Sequence, residues 1–239
     1  MNNFKFVTGT TKIYRLAGND WFAVSQDDET VLLVDTDAAL SRTDGTLVGL
    51  ESRWSDGDWN SIDGEDGQTL LDYANGLTDK YFSKIKHAMK PISIACDYKE
   101  CMGFSEPKNL KGYIFNAYMF PLSYDELSTC NIIGGKIFKN SRENYDKLKN
   151  ENGGNLSNCG VWTRTFSGVY SSFYCAWCRY STRGGIDSSS SVGFPCRVAP
   201  AFNLKKSCII HIAEDGEIIL KLEENDMSQN TNATPVTEE

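Results

Sequence analysis

The order of apolar and polar residues along the chain predicts short strands, a few helices and long polar connections. Residues 4–37 contain two runs of β-branched and aromatic residues, separated by Gly-Asn and Asp-Asp turn signals. We therefore expect a core hairpin with Trp21 and Phe22 on one arm and residues 31–34 on the other. Near the other end of the chain, NLKKSCIIHIAEDGEIILKL alternates in the same way. It predicts a second hairpin that turns at Glu214-Asp215-Gly216.

The best helical pattern covers residues 68–90, where apolar residues recur at mixed spacings of three and four. Asn75-Gly76 lies inside this pattern and predicts a break into two helices, with Thr78 or Asp79 as the second cap. The preceding segment, residues 38–68, is rich in Asp, Gly and Ser and predicts a long loop.

Two further helices are predicted in the middle of the chain. Ser123 begins the segment SYDELSTC, and Glu126 stands three residues later, which is the spacing of a capping box. The polar connection that follows predicts a helix around 141–149 and then leads to Trp162.

The segment from Trp162 to Phe202 differs in composition from the rest of the chain. It contains no Lys, Glu, Gln, Met, Asn, Leu or His, its only acid is Asp187, and Ser, Tyr, Phe, Cys, Arg and Gly fill it. Rigid aromatic side chains, small hydroxyls and arginines are typical of a binding surface such as a paratope. The alternative is a plain core hairpin, with its aromatic residues inside and its serines outside.

Length and charge limit the classes of function. A chain of 239 residues is one large domain or two small ones, and we expect one domain over 1–222 and a flexible tail over 223–239. The net charge of −8 argues against a nucleic-acid partner. The N-terminal residues have no apolar core long enough for a signal peptide, and no segment reaches membrane-span length. We expect synthesis in a cytoplasm, no membrane insertion, and mostly free thiols among the eight cysteines.

Catalytic and metal-binding patterns do not fit the sequence well. Cys175-Ala-Trp-Cys178 is a CxxC pair, but its surroundings predict a strand rather than the helix start of a redox motif, and no second close pair completes a zinc site. The acidic loop residues lack the spacing of an EF-hand. His87 and His211 stand apart from each other in the sequence, and no nucleophile or phosphate-loop motif is present. We expect no metal, no cofactor and no enzymatic activity.

Several short motifs together resemble a known group of proteins. In order they are Asp20-Trp21-Phe22, FPLSYDEL at 120–127, Trp162-Thr-Arg-Thr, Ala176-Trp177 with a later Gly184, and Arg197-Val-Ala-Pro-Ala-Phe-Asn-Leu. The chain thus resembles the C-type-lectin-fold group of bacterial and phage proteins that includes sulfatase-modifying-factor relatives. Within it, the chain is most similar to the variable proteins of diversity-generating retroelements. The resemblance covers roughly residues 10–205 and is best at 119–128 and 162–204.

The resemblance implies a fold and a function. The fold is α+β and C-type-lectin-like, and the function is non-catalytic ligand binding by a diversified receptor-recognition protein or adhesin of a phage or prophage. Adenine mutagenesis of AAY codons in this family yields many residue types but not Trp, Lys, Glu, Gln or Met. Between Trp162 and Arg197 only Trp177, at a fixed position of the family, belongs to that excluded set. The partner would be a protein or glycan receptor on a target cell surface, and the protein would be virion-associated or cytoplasmic at synthesis.

On this interpretation, a framework supports a variable binding surface within residues 163–196. Trp162, Trp177, Arg197 and Pro200 would be framework, with the tryptophans buried and Arg197 bonded to a backbone carbonyl or a carboxylate. The expected ligand-binding residues are Tyr170, Phe173, Tyr174, Cys175, Cys178, Tyr180, Arg183, Asp187 and Phe194.

Two alternatives remain open from the sequence. One is a sulfatase-modifying-factor-like enzyme that uses a reactive cysteine, although Cys175 and Cys178 do not stand in the context of that family branch. The other is a phage structural or assembly protein whose aromatic strand is buried in an oligomer. The sequence leaves open whether the chain forms a homo-oligomer.

Overall fold

The computed structural model describes residues 4–41, 47–53, 68–99, 115–152, 160–170, 173–179, 188–193 and 196–222 of the chain. These residues form short strands in several sheets together with a few helices, which is a mixed α+β fold. The predicted α+β class is confirmed at this level. The predicted tail, residues 223–239, lies outside the described residues.

The described strands and helices follow one another along the chain. The strands are β1 (Ile13–Leu16), β2 (Asn19–Gln26), β3 (Thr30–Asp35), β4 (Ala39–Ser41), β5 (Leu47–Gly49), β6 (Glu51–Ser52), β7 (Met89–Lys90), β8 (Ile92–Ile94), β9 (Asp97–Tyr98), β10 (Phe115–Ala117), β11 (Phe120–Pro121), β12 (Val161–Tyr170), β13 (Phe173–Arg179), β14 (Ser188–Ser191), β15 (Cys196–Arg197), β16 (Pro200–Lys205), β17 (Ile209–Ile212) and β18 (Ile218–Leu220). The α-helices are α1 (Gln68–Tyr81), α2 (Tyr124–Thr129) and α3 (Asn131–Asn152), and two 3-10 helices cover Ser83–Ala88 and Lys206–Cys208.

The first sheet is antiparallel and centres on β3 and β16. Its order is β1-β2-β3-β16, and the far edge of β16 pairs with β11 near its start and with β7 further along. Every residue of β3 is buried, because its continuous apolar run belongs to a strand that is covered on both faces. The predicted β2–β3 hairpin is confirmed, with Phe22 opposite Val34 and Ala23 opposite Leu33.

The second sheet centres on β12. Its order is β14-β13-β12-β15-β6, and β9 pairs in parallel with the middle of β12. β15 also runs parallel to β12, with Val161 opposite Arg197. β12 is therefore paired on both of its edges, with β13 on one side and with β15 and β9 in turn on the other.

The core has two parts, one on each face of the first sheet. On one face, Trp21 makes edge-to-face contacts with Phe202 at 4.9 Å and with Phe82 at 5.5 Å between ring centroids. Trp162 and Phe166 of β12 and the buried side of α1 belong to this same cluster. On the opposite face, residues of β2 and β3 pack against α2 and α3. Large aromatic side chains each contribute about 1.5–3 kcal/mol on full burial, so this arrangement accounts for much of the stability.

Helix α1 differs from its prediction, because it runs without a break through Asn75 and Gly76 and ends at Tyr81. Its buried positions continue across the predicted break, and the Asn75 Oδ1 accepts a hydrogen bond from the backbone N–H of Tyr118 at 2.8 Å. The polar side chain therefore docks a neighbouring segment instead of turning the helix. Thr78 and Asp79 lie inside the helix rather than capping a second one.

Helices α2 and α3 agree with prediction to different degrees. The capping box of α2 is confirmed, with Ser123 accepting from the N–H of Glu126 and the Glu126 carboxylate accepting from the N–H of Ser123. Helix α3 begins at Asn131, well before the predicted 141. Its early turns include a Gly-Gly pair, which costs about 1 kcal/mol per glycine, and burial of Ile133 and Ile137 offsets that cost.

The predicted loop over 38–68 contains more structure than expected. The strands β4 and β5 pair antiparallel, and β6 pairs with β15 of the second sheet. The four acidic residues considered for calcium, Asp56, Asp58, Asp63 and Asp66, lie outside the described residues.

The C-terminal hairpin is confirmed. β17 and β18 pair antiparallel around a turn in which Gly216 has φ of +95°. A Cβ at Gly216 would come within 2.5 Å of the carbonyl oxygen of Ile13, so the turn needs glycine for its backbone conformation and for close approach to β1.

Helix α2 is fixed to β12 by a partly buried ion pair. The Arg164 guanidinium donates to both carboxylate oxygens of Glu126, at 2.6 and 2.9 Å, and to the carbonyl of Pro121 at 2.9 Å. Burial alone would raise the pKa of Glu126, but hydrogen bonding and attraction to Arg164, helped by Ser123, lower it below its usual 4.5. Thr165 adds a second link, because its Oγ1 accepts from the N–H of Tyr124 at 2.8 Å.

Replacing Glu126 by Gln should therefore destabilise the protein by about 2 kcal/mol, because Arg164 would lose a bidentate carboxylate partner. We expect a fall in Tm of about 4–8 °C in thermal unfolding. The exposed Glu143 offers a control, and Glu143→Gln should leave Tm within about 2 °C.

The destabilisation caused by Glu126→Gln should depend on pH and should become smaller as pH falls. Because the folded-state pKa of Glu126 is lowered, its contribution is present above the unfolded pKa and is lost as pH falls through the folded one. A difference in Tm between wild type and Glu126→Gln that stays constant down to strongly acidic pH would contradict this account.

Candidate functional site

The segment predicted to bind a ligand folds into a three-stranded antiparallel ribbon. β12 pairs with β13, with Val169 opposite Tyr174 and Tyr170 opposite Phe173. β13 pairs in turn with the serine strand β14, with Cys175 opposite Ser191. β14 is the last strand in the order of the second sheet, so the ribbon ends at a sheet edge.

The nine predicted ligand-binding residues divide into two groups. Five lie on described strands of the ribbon, and their side chains lie outside the described part: Tyr170, Phe173, Tyr174, Cys175 and Cys178. The other four lie outside the described residues: Tyr180, Arg183, Asp187 and Phe194. The backbone register brings Tyr170, Phe173, Tyr174 and Cys175 together where β12 ends and β13 begins, whereas Cys178 lies opposite Trp162 at the base of the ribbon.

The base of the ribbon belongs to the core. Thr163, Thr165 and Ser167 occupy alternate positions of β12 and are fully buried. Trp162 and Phe166 of the same strand are buried as well. The hydroxyl of Thr165 donates to the Asp97 carboxylate at 2.6 Å. These serine and threonine side chains are interior hydrogen-bonding groups rather than surface groups.

The far end of the predicted variable interval is buried as well, since Val192 and Cys196 have no exposed surface. The interval 163–196 therefore begins and ends inside the protein. The side chains between these two ends, at positions 169–191, lie outside the described part.

A bulge separates the buried base from the rest of the ribbon. The β12–β13 register shifts between Phe166 and Gly168, and Gly168 has φ of +112°. Glycine adopts this conformation without the steric cost that another residue would have. A bulge bends its strand and increases the local twist, so β12 changes direction as it leaves the core.

The predicted framework residues are placed largely as expected. Trp162 is 1 % exposed, and its indole N–H donates to the carbonyl of Ser52 at 3.0 Å. Arg197 is 2 % exposed and lies opposite Glu51 in the β15–β6 pair, and its charge attracts the Glu51 carboxylate. Burial nevertheless raises the pKa of Glu51 overall. Pro200 pairs with Pro121 at the end of the β11–β16 ladder. The side chain of Trp177 lies outside the described part.

Among the cysteines whose side chains are described, Cys130 and Cys208 are free thiols. Cys96, Cys130 and Cys196 are buried and Cys208 is half-buried, and burial raises the pKa of the Cys130 thiol. Cys175 and Cys178 lie within the continuous strand β13, as predicted, and not at a helix start. Among the described residues no group of three His, Cys, Asp or Glu side chains could hold a metal ion. No helix within the described ranges is both long and apolar enough to span a membrane.

The structure also brings together two carboxyl groups that sequence reasoning missed. Asp35, at the end of β3, is 1 % exposed, and its Oδ1 accepts from the N–H groups of Asp37 and Ala39 at 3.1 and 3.3 Å. Asp37 accepts from the Asn144 side chain of α3 at 2.7 Å. The sequence signal was an Asp-Thr-Asp run directly after an apolar strand.

Burial is the main reason that the pKa of Asp35 is raised well above its usual value, and the charge of Asp37 adds to the effect. Burial also raises the pKa of Asp37. The pair connects the end of β3 to α3, and it costs stability when it ionises.

Comparisons with known proteins gave no match. No protein-family model, no curated protein and no solved structure matches the chain. The functional argument therefore relies on the residues of this chain and their arrangement.

The raised pKa of Asp35 predicts a dependence of stability on pH. A carboxyl group with a raised folded-state pKa stabilises fully below its unfolded pKa, and that contribution is lost as pH rises through the folded one. Asp35→Asn keeps the Oδ1 acceptor and cannot ionise. We expect a higher Tm than wild type at pH 7 and a smaller difference at pH 4.

Thermal unfolding across this pH range measures the effect, and Asp28→Asn, at an exposed position, is the control. An Asp35→Asn variant that is less stable than wild type at pH 7 by the same margin as at pH 4 would show that ionisation of Asp35 costs nothing.

Proposed function

We propose that this chain is a non-catalytic ligand-binding protein with a C-type-lectin-like fold, and that it binds through the ribbon surface between Gly168 and Val192. The proposed ligand is a protein or glycan receptor on a target cell surface. We further propose that the chain is a variable protein of a diversity-generating retroelement, which serves a phage or prophage as a receptor-recognition protein or adhesin.

One observation supports the proposal above all others, namely the contrast between the two ends of the interval 163–196 and its middle. The ends are buried in the core. The middle is rich in Tyr, Ser and Arg and lacks Lys, Glu, Gln and Met. Tyrosine gives large contact area at low entropic cost, and serine gives adaptable hydrogen bonds, which is how binding loops are composed.

The support beneath the ribbon suits a surface whose sequence varies. β12 has partners on both edges, and its base contacts α2 through Arg164 and β6 through Trp162. None of these contacts uses a side chain between Gly168 and Val192. Surface substitutions away from core features usually change stability by less than about 0.5 kcal/mol, so the ribbon could vary without loss of the fold.

This proposal predicts a difference in tolerance between the ribbon and its base. The triple variant Tyr170→Ser, Tyr174→Ser and Arg183→Ser should lower Tm by no more than about 4 °C. The matched change Phe166→Ser in the buried base of β12 should lower it by at least about 6 °C, because a buried aromatic side chain is lost. A ribbon triple variant as unstable as Phe166→Ser would mean that these side chains belong to the core, which would overturn the proposal.

Binding itself is tested with the same triple variant. Wild-type protein is applied to a glycan array and to an array of bacterial surface proteins, and each positive spot is measured again with the variant. We expect affinity to fall by at least about tenfold, while Lys136→Ala and Glu143→Ala on the exposed side of α3 change it by less than about twofold. Binding that survives in the triple variant would place the ligand elsewhere. Alkylation of Cys175 or Cys178 that abolishes a measurable activity would favour an enzyme instead.

The nucleotide sequence around the gene tests the proposed origin independently of binding. We expect a near-copy of the region that codes for 162–200, differing mainly at adenines, beside a reverse transcriptase gene. The absence of such a copy would remove the diversification mechanism and leave ligand binding to be judged by the arrays.

A further inference from the structure

A second open site lies outside the ribbon, in a groove of about 660 Å³. Its walls come from the turn between β2 and β3, from β7, from the end of β16 with the following 3-10 helix, and from β17 and the end of the C-terminal hairpin. None of the described residues within 161–197 lines it. A groove of this volume is in the range that holds small molecules.

The groove is basic although the chain is acidic. Four lysines line it, against two carboxylates, in a chain whose net charge is −8. The lysines are Lys90, Lys205, Lys206 and Lys221, and the carboxylates are Asp28 and Glu29. Such a local excess of positive charge favours an anionic ligand.

Lys206 is the most constrained of the four. It is 6 % exposed, and its Nζ donates to the Gln26 Oε1 at 2.8 Å and to the carbonyl of Asp27 at 2.6 Å. Both acceptors are neutral. None of the ion pairs among the described residues includes Lys206. An ammonium group has three donors, so one N–H is left for a further acceptor at the groove.

The position of the Lys206 ammonium is fixed by its surroundings. The Gln26 side-chain amide is itself held by the backbone of Phe6, whose N–H donates to its Oε1 and whose carbonyl accepts from its Nε2. The backbone N–H of Lys206 donates to the carbonyl of Glu29 at 2.8 Å. A buried cation without an anionic partner is costly, and a ligand anion at this point would compensate it.

The other lysines can contribute charge without disturbing the fold. Lys90 pairs with Glu29 at 2.8 Å, but both side chains are largely exposed, and such pairs rearrange at little cost. The Lys221 ammonium donates to the carbonyl of Ser207 at 2.6 Å, which is again a neutral acceptor. Lys205 is half-buried at the end of β16.

An apolar surface adjoins these charges. Ile210 is 52 % exposed, and it lines the groove together with the buried Ile209 and with Pro91. An exposed large aliphatic side chain beside a row of ammonium groups suits a ligand that has an apolar body and an anionic end.

We propose that this groove is a binding site for a small amphipathic anion. Its anionic oxygens accept from the Nζ of Lys206, with Lys205 and Lys221 beside it, and its apolar part lies against Ile210. A carboxylate and a phosphate monoester share this chemistry, and the experiment below distinguishes them. The site is separate from the proposed receptor-binding ribbon, so either proposal can fail alone.

Isothermal titration calorimetry with the full-length chain tests the site. The probes are octyl phosphate and octanoate. The controls are octanol, which lacks the charge, and inorganic phosphate, which lacks the apolar body. We expect saturable binding of at least one amphipathic anion with Kd below about 1 mM, weaker at higher salt, and binding of both controls at least about tenfold weaker. The tighter of the two anions identifies the preferred head group.

Substitutions locate the binding. Lys205→Met and Ile210→Ser should each weaken the tighter probe by about tenfold without lowering Tm by more than about 4 °C. Lys206→Met should abolish binding, and its Tm shows whether the fold survives. Lys136→Met, at an exposed position of α3, is the matched control and should leave Kd unchanged.

Four results would overturn the proposal. The first is that neither anion shows saturable binding. The second and third are that octanol, or inorganic phosphate, binds as tightly as the amphipathic anions. The fourth is that Lys205→Met and Ile210→Ser leave the affinity at the wild-type value.

Discussion

β12 pairs with other strands on both edges and packs into the core, and the arrangement of the protein depends on these contacts. Its edges pair with β13 on one side and with β15 and β9 on the other. One set of its side chains places Trp162 and Phe166 in the core that also contains Trp21 and Phe202. Arg164 clamps the carboxylate that caps α2. One strand thereby connects both sheets and a helix.

This constraint explains how one continuous segment can have two characters. Up to Gly168 the strand is largely interior, and the hydroxyl of the buried Thr165 donates to the half-buried Asp97. Beyond the bulge, the described residues Val169 and Tyr170 pair with β13. A side chain in the interior half affects many neighbours, because protein cores are close-packed, whereas the ribbon pairs through its backbone. On the proposed function, stability and ligand binding would belong to different parts of the same strand.

The charged residues of the protein also lie at particular places in the fold. The Arg164–Glu126 and Arg197–Glu51 neighbours lie where strands and helices meet, and they orient those elements. The lysines of the groove gather at the opposite end of β16 from its contact with β11. There the buried ammonium of Lys206 holds the turn between β2 and β3 by donating to the carbonyl of Asp27, and Lys206 also lines the groove. In the binding site proposed for this groove, the same lysine would serve both the fold and the ligand.

The sequence by itself determined the features that arise from local patterns. The β2–β3 hairpin, the capping box at Ser123 and the turn at Gly216 each depend on residues close in the chain, and the buried tryptophans Trp21 and Trp162 follow from their apolar size. The unusual composition of 162–202 was also visible without coordinates.

Only the tertiary structure decided which of these residues meet. Helix α1 continues through Asn75-Gly76, because the backbone N–H of the distant Tyr118 donates to the Asn75 side chain. Helix α3 includes two glycines near its start, because Ile133 and Ile137 are buried there. The tertiary structure paired Arg164 with Glu126, brought the carboxyl groups of Asp35 and Asp37 together, and gathered the four groove lysines from three separate segments. Contacts between residues far apart in the chain depend on long-range packing, and no local pattern contains that information.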